Sequence, residues 1–182
     1  DVQNTLINNC LLRYASDELK RQYLPSLASD PVGAYCLSEA GSGSDAFALK
    51  TRAYEDGDAW VLDGQKLWIT NGSEAGLFVV FATVAAEQGY RGITAFLVEK
   101  DAPGFTTEKM EHKIALRAVQ NAIITLDGVR VPELVAAQSV IVSPEYVGYF
   151  DEPTPGAGNG SAVGLYRALT NVTSASSTAT VS

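Results

Sequence analysis

Early in the chain, Gly41-Ser42-Gly43-Ser44-Asp45-Ala46 satisfies the pattern G-x-G-x-x-G/A, and a carboxylate, Asp63, follows about 20 residues later. Glycines so spaced let backbone approach a pyrophosphate, provided a helix opens directly behind them and turns its N-terminus to the anion. The residues that follow lack helical period. Phe47, Leu49, Thr51 and Ala53 alternate with Ala48, Lys50, Arg52 and Tyr54, which is the period of a strand. A nicotinamide-binding Rossmann unit would require a helix beginning at residues 45–47, so the pattern speaks against it. A flexible linker fits no better, because the segment lies between two strand-like runs. What remains is a tight connection whose exposed N–H groups and small side chains admit a phosphate or a flat ring. A Cys/His zinc site is ruled out by supply. Cys10 and Cys36 are the only cysteines, His112 is the only histidine, and none of them forms a CxxC or Cys/His cluster. Both thiols read as reduced, packed side chains.

The elements that must hold this connection follow from hydrophobic period. Val2, Leu6, Ile7, Cys10, Leu11 and Tyr14 make one helical stripe, and Leu19, Tyr23 and Leu27 a second. Ser16 is placed as the N-cap of the second helix, with Asp17 and Glu18 in its first turn, and Pro25 should break or end it. From about residue 33 the period becomes two. Short strands are predicted over 34–37, 47–54, 60–62, 66–70, 93–98 and 122–126, and a strand buried on both sides over 77–84. Turns are predicted at 55–58, at the dipeptide Asp63-Gly64 and at Asn71-Gly72. Many short strands separated by turn signals predict a mainly β fold, a barrel or sandwich, preceded by a short helical hairpin. After Pro132 the chain turns rich in Ser, Thr, Gly and Pro, and residues 134–182 are predicted to be an irregular tail.

Composition sets outer limits. A formal net charge of -8 opposes a general nucleic-acid surface. No stretch reaches the roughly 20 apolar residues of a membrane helix, and no signal-peptide pattern is visible. The chain begins at Asp1 inside a helical pattern, as a piece of a longer protein would. The sequons at Asn71, Asn159 and Asn171 are short enough to be accidental.

Two segments carry a family resemblance. Tyr35-Cys36-Leu37-Ser38-Glu39-Ala40-Gly41-Ser42-Gly43-Ser44-Asp45 resembles the first flavin-contacting motif of the acyl-CoA dehydrogenases, and Lys66-Leu67-Trp68-Ile69-Thr70-Asn71-Gly72 resembles the second. Gly92-Ile93-Thr94-Ala95-Phe96-Leu97-Val98 and Val129-Arg130-Val131-Pro132 follow in family order, so the likeness covers residues 1–133. It implies three parts: 1–30, the end of an N-terminal helical domain; 31–133, a middle β-barrel domain; and 134–182, a divergent tail. It also implies FAD as cofactor, lined by Tyr35, Cys36, Leu37, Ser38, Glu39, Ala40, Gly41, Ser42, Gly43 and Ser44 and by Trp68, Ile69 and Thr70. Ser38 would offer a hydroxyl, Trp68 would lie against the isoalloxazine, and Thr70 would sit near its reactive nitrogen. Read without the motif, Trp68 is an ordinary core aromatic of a strand.

The resemblance places Ser44 and Tyr90 against the acyl-CoA. Ser44 could instead bond its own turn, and Tyr90 could be an exposed hairpin tyrosine. Asn4-Thr5-Leu6-Ile7 and Leu37-Ser38-Glu39-Ala40 are similar to the short/branched-chain branch, whose substrates are short and 2-methyl-branched acyl-CoAs. The implied reaction is α,β-dehydrogenation to the 2-enoyl-CoA in a homotetrameric parent, with electrons passed to an electron-transfer flavoprotein. The implied compartment is the mitochondrial matrix for a eukaryotic source and the cytoplasm otherwise. The family's glutamate base lies in a C-terminal helical domain. Glu133, Glu145 and Glu152 stand in no matching context, so no catalytic residue is assigned and the isolated chain is expected to be inactive. The residues of Ile114-Ala115-Leu116-Arg117-Ala118-Val119-Gln120-Asn121 depart from the family's small and hydroxyl residues. A competing expectation is a non-catalytic binding or assembly module that keeps the β domain without flavin.

Overall fold

The structure, a computed structural model, describes residues 2–132. The predicted tail over 134–182 and Glu133, Glu145 and Glu152 lie outside the described residues. The chain opens with a π-helical segment, Gln3–Asn8, continues into α1 (Asn9–Tyr14), and turns into α2 (Asp17–Leu27). Ser16 is extended and its Oγ accepts the Leu19 N–H at 3.2 Å, so it caps α2 as expected. Ser16→Ala is expected to cost about 1 kcal/mol in the unfolding free energy, read from a urea titration. The expectation that Pro25 breaks the helix is wrong: Pro25 lies inside α2, which runs on to Leu27. In the last turn a proline forfeits a single ladder bond, and the Ala28 N–H regains the Leu24 carbonyl immediately after it.

Seven strands follow: β1 (Gly33–Cys36), β2 (Arg52–Asp56), β3 (Ala59–Ile69), β4 (Leu77–Thr83), β5 (Ile93–Glu99), β6 (Phe105–Lys109) and β7 (Ala122–Pro132). They form one curled sheet in the order β1-β4-β2-β3-β7-β6, with β5 on the opposite edge of β4. β1 runs parallel to β4 over Gly33↔Leu77 to Cys36↔Val80, and β2 meets β4 at Arg52↔Thr83. β1 and β2 therefore lie end to end along one edge of β4, and the connection 37–51 must loop out between them. That connection carries the first motif.

β4 is buried along its whole length because each face has its own partner. Leu77, Val79 and Phe81, with Ile93, Ala95 and Leu97 of β5, receive Ile7, Leu11, Leu19 and Leu27 of the hairpin. The alternate residues Phe78, Val80 and Ala82 point into the curled sheet with Phe96, Leu62, Ile69, Ile124, Leu126 and Val129. The hairpin, too short to hold a core of its own, is stable through this packing. It approaches so closely that a Cβ on Gly33 would stand 2.7 Å from Ile7 Cγ2.

Two local expectations are corrected, and one strand, β6, was not predicted. The glycine segment leads into a single 3-10 turn of three residues, Ala46–Ala48, and β2 begins only at Arg52, so the strand predicted over 47–54 is mostly loop. A three-residue turn within a curled, largely antiparallel sheet is no dinucleotide-binding βαβ unit. Asp63-Gly64 is not a turn, since β3 runs straight through it and β7 takes up one extra residue between the pairs Leu62↔Val129 and Gly64↔Leu126. Gly64 is needed there for space: a Cβ would lie 2.5 Å from Thr51 Oγ1. β6 is a polar edge strand whose Thr106, Thr107, Glu108 and Lys109 hide the apolar alternation that a strand assignment needs.

Candidate functional site

The two motifs meet on one surface of the sheet. The Leu67 N–H donates to the Ser38 carbonyl at 2.8 Å, tying the start of the 37–51 connection to β3. Beneath this bond lies Lys66, fully buried, whose Nζ donates to the Leu37 carbonyl at 3.2 Å and to Glu39 Oε1 at 2.7 Å. Glu39 also accepts from the Lys50 N–H at 2.6 Å, the Thr51 N–H at 3.0 Å and the Thr51 hydroxyl at 2.6 Å. One carboxylate thus holds both ends of the loop and the strand beside it. Burial alone would push the Glu39 carboxyl up. The Lys66 ammonium and the bonds from Lys66, Thr51 and Lys50 outweigh it and hold the group below its ordinary value of 4.5.

That shift sets a sign for acid stability. A carboxyl whose folded pKa lies below its unfolded one contributes stability above the unfolded value and loses it as pH falls through the folded one. The unfolding free energy is expected to drop as pH falls below the ordinary value of 4.5. Glu39→Gln should flatten this part of the profile, and an unchanged acid limb would show that other carboxyls dominate it.

Within the first motif the side chains divide by task. Tyr35 is half-buried against Phe81, ring centroids 4.9 Å apart, and Cys36 and Leu37 are core residues. Glu39 and Ser42 exchange backbone hydrogen bonds at 2.9 and 3.2 Å, so their N–H groups are engaged inside a tight turn with Ala40 and Gly41 exposed at its tip. The hydroxyl that bonds its own turn is that of the buried Ser42, which donates to the Asp45 carbonyl at 2.8 Å. Gly43 and Ser44 are exposed, and a Cβ on Gly41 or Gly43 would meet nothing within 4 Å. Room exists at this tip for an incoming group.

The second motif owes its form to a β-bulge. Lys66 pairs with Ile124 and Ile69 with Ala122, so β3 carries one residue more than β7 across this interval. In an unbroken strand Lys66 and Trp68 would share a face. The extra residue, with Trp68 at φ +60°, throws the indole out while Lys66 and Ile69 stay inside. Trp68 is 59% exposed, which removes the core-aromatic alternative. Asn121 Nδ2 donates to the Trp68 carbonyl and to Thr70 Oγ1, each at 3.3 Å, so β7 braces the bulge. Tyr90 is half-buried, in contact with Phe47 at 5.3 Å between ring centroids, which puts it beside the turn that follows Ser44.

The structure therefore ties the Ser38 segment to β3 at Leu67, next to Trp68, and joins Trp68 to Thr70 through Asn121, while the buried Cys36, Leu37 and Ile69 can offer a ligand their backbone only. Glu39 is occupied by Lys66. Sequence reading missed Lys66, Thr51, Phe47 and Asn121. A lysine at an inward position of a strand was the available signal for the first. Among the described residues no group of three or more His, Cys, Asp and Glu could hold a metal, and no helix is long and apolar enough to cross a membrane. Burial pushes the Cys10 thiol up to about 12 and raises that of Cys36 as well, so neither is a reactive thiolate.

Comparison with known proteins gives this surface a context. The acyl-CoA dehydrogenase middle-domain model matches residues 34–129. The chain is 48% identical over 133 residues to the mitochondrial short/branched chain specific acyl-CoA dehydrogenase of Rattus norvegicus, covering 73% of this chain and 31% of that protein. The corresponding protein of Bos taurus is 45% identical over 133 residues, with 73% and 31% covered. The structure superposes with a TM-score of 0.70 and 39% identity on a glutaryl-CoA dehydrogenase from Mycobacterium smegmatis in complex with FADH2, covering 74% of this chain and 34% of that one. The chain thus spans about a third of the length of the curated relatives it matches. With the curled sheet, both motifs and their register in place, the chain belongs to the acyl-CoA dehydrogenase family, and residues 34–129 are its middle domain.

Proposed function

We propose that this chain is the flavin- and acyl-CoA-contacting part of an FAD-dependent acyl-CoA dehydrogenase, which converts short or 2-methyl-branched acyl-CoA to the 2-enoyl-CoA and passes electrons to an electron-transfer flavoprotein. The observation that carries this reading is Trp68: an exposed indole held in a left-handed bulge, flanked by the Ser38 and Thr70 segments. Folding does not favour exposing a large aromatic at a positive φ, and such departures cluster where a ligand is held. A planar indole and flanking hydroxyls suit a flat, heteroatom-edged ring. When bound, FAD supplies the acceptor for the hydride leaving the β-carbon. The chain's own residues bind and orient: Trp68 packs the ring, Ser38 and Thr70 address its edge, and Ser44 and Tyr90 line the acyl-CoA.

None of the described glutamates suits the α-proton. Glu39, the one buried beside this surface, is ion-paired and held below its ordinary value, which makes it a poor base. The base in this reading comes from outside residues 2–132. The likeness to mitochondrial relatives supports a matrix enzyme for a eukaryotic source, and a bacterial source would make it cytoplasmic; the parent is proposed as a homotetramer to which this chain contributes the end of a helical domain (1–30), the β domain (31–133) and the divergent segment 134–182.

Mixing the 182-residue chain with FAD and removing free flavin tests the reading directly. A yellow protein with a flavin band is expected. A colourless product at every FAD concentration would leave the non-catalytic module as the better description. With a short branched acyl-CoA and an artificial electron acceptor, the same chain is expected to show no turnover, because no described base is available.

A further inference from the structure

Lys113 gathers three oxygens. Its Nζ donates to the carbonyls of Leu116 and Val119 and to Asn121 Oδ1, the last at 2.8 Å. The Met110 N–H closes the same loop by donating to the Asn121 carbonyl at 2.9 Å. These bonds hold Asn121 at the start of β7, beside the Trp68 bulge. The orientation of its amide is fixed from both ends. An ammonium only donates, so the atom facing Lys113 is the oxygen; a backbone carbonyl only accepts, so the atom facing Trp68 is the nitrogen. The same nitrogen lies 3.3 Å from Thr70 Oγ1. The Thr70 hydroxyl must accept there, which leaves its single hydrogen free for a different acceptor.

We propose that Asn121, oriented by Lys113, is a positioning residue: it locks the Trp68 bulge and directs the Thr70 hydroxyl to act as a donor to the flavin ring. The inference rests on the flavin reading above and adds the device that sets the polarity of the Thr70 contact. No other described residue bonds both the Trp68 carbonyl and the Thr70 hydroxyl. A carboxylate in place of the amide would reverse the device, because it accepts from Thr70 and repels the Trp68 carbonyl.

The test is FAD affinity and the visible spectrum of the bound flavin in the 182-residue chain and in Asn121→Ala, Asn121→Asp, Thr70→Val and Asn121→Ala/Thr70→Val, with folding followed by circular dichroism. Asn121→Ala is expected to weaken FAD binding by about tenfold and to shift the flavin band as Thr70→Val does. The near-isosteric Asn121→Asp should weaken binding at least as much. In the Thr70→Val background the Asn121→Ala effect should fall to about threefold or less, the remainder coming from the Trp68 carbonyl. Wild-type affinity and spectrum in Asn121→Asp would overturn the proposal, as would an equal Asn121→Ala effect with and without the Thr70 hydroxyl. Absence of FAD binding in the unmodified chain is a separate result; it would overturn the flavin reading and this inference with it.

Discussion

Lys66→Met is expected to remove about 3–5 kcal/mol of folding stability at neutral pH, because it strands a buried carboxylate without its cation. Glu39 is only 8% exposed and cannot turn to solvent without releasing Thr51, the Lys50 N–H and the loop they hold. Four donors surround it now; three would remain, and the lost one carries the charge. The pH dependence should invert as well. Burial is already the largest single influence on Glu39 and acts upward; with the ammonium gone only the Thr51 and Lys50 bonds oppose it, and the folded pKa is expected to lie above the unfolded one. A raised group contributes stability below the unfolded pKa and loses it as pH rises through the folded one, so the variant should become relatively more stable on acidification while the wild type becomes less so. Adding Glu39→Gln to Lys66→Met should recover much of the loss, since the amide oxygen still accepts from Thr51 and no charge is left buried. Urea unfolding of the wild type and the two variants across pH decides this. Equal stability of Lys66→Met and wild type would mean that water reaches the pair and that its apparent burial carries little energy.

Much of this architecture was legible in the chain because it depends on local period. The two helical stripes, the Ser16 cap and the doubly buried β4 each express a pattern within about a dozen residues. The two motif segments were legible too, since each is contiguous. What was hidden depends on parity and on distance along the chain. One inserted residue in β3 moves Trp68 from the inner face to the outer, and no alternation count reveals which strand carries the extra residue. Asp63-Gly64 looks like a turn in isolation; only the approach of Thr51 from β2's entry shows why a glycine stands in mid-strand. Glu39 lies 27 residues from Lys66, and Thr70 and Trp68 lie 51 and 53 residues from Asn121, so these pairings belong to the fold and not to any window of sequence. The stretch 114–121, read from the sequence as departing from the family pattern, also supplies the brace, Asn121.

Trp68→Gly should separate binding from folding more sharply than any other change. Trp68 sits at φ +60°, a conformation that costs a non-glycine residue on the order of 1–3 kcal/mol and a glycine almost nothing. Its side chain is 59% exposed, so little core packing is lost with it. The glycine variant is therefore expected to be at least as stable as wild type, with a gain of about 1 kcal/mol in urea unfolding once the greater backbone freedom of the unfolded glycine is set against the relief. Flavin binding should move the other way. Stacking of a flat ring on an aromatic side chain contributes about 1–3 kcal/mol, which corresponds to roughly five- to 150-fold weaker FAD binding when the indole is removed. Trp68→Phe, which keeps a smaller ring in the same bulge, should fall between. Trp68→Ala should lose the affinity while retaining most of the backbone strain. An exposed aromatic kept for its ligand predicts this opposition of signs. A Trp68→Gly chain that both unfolds more easily and binds FAD as before would instead make the indole a structural plug, and the surface would lose its claim on the flavin.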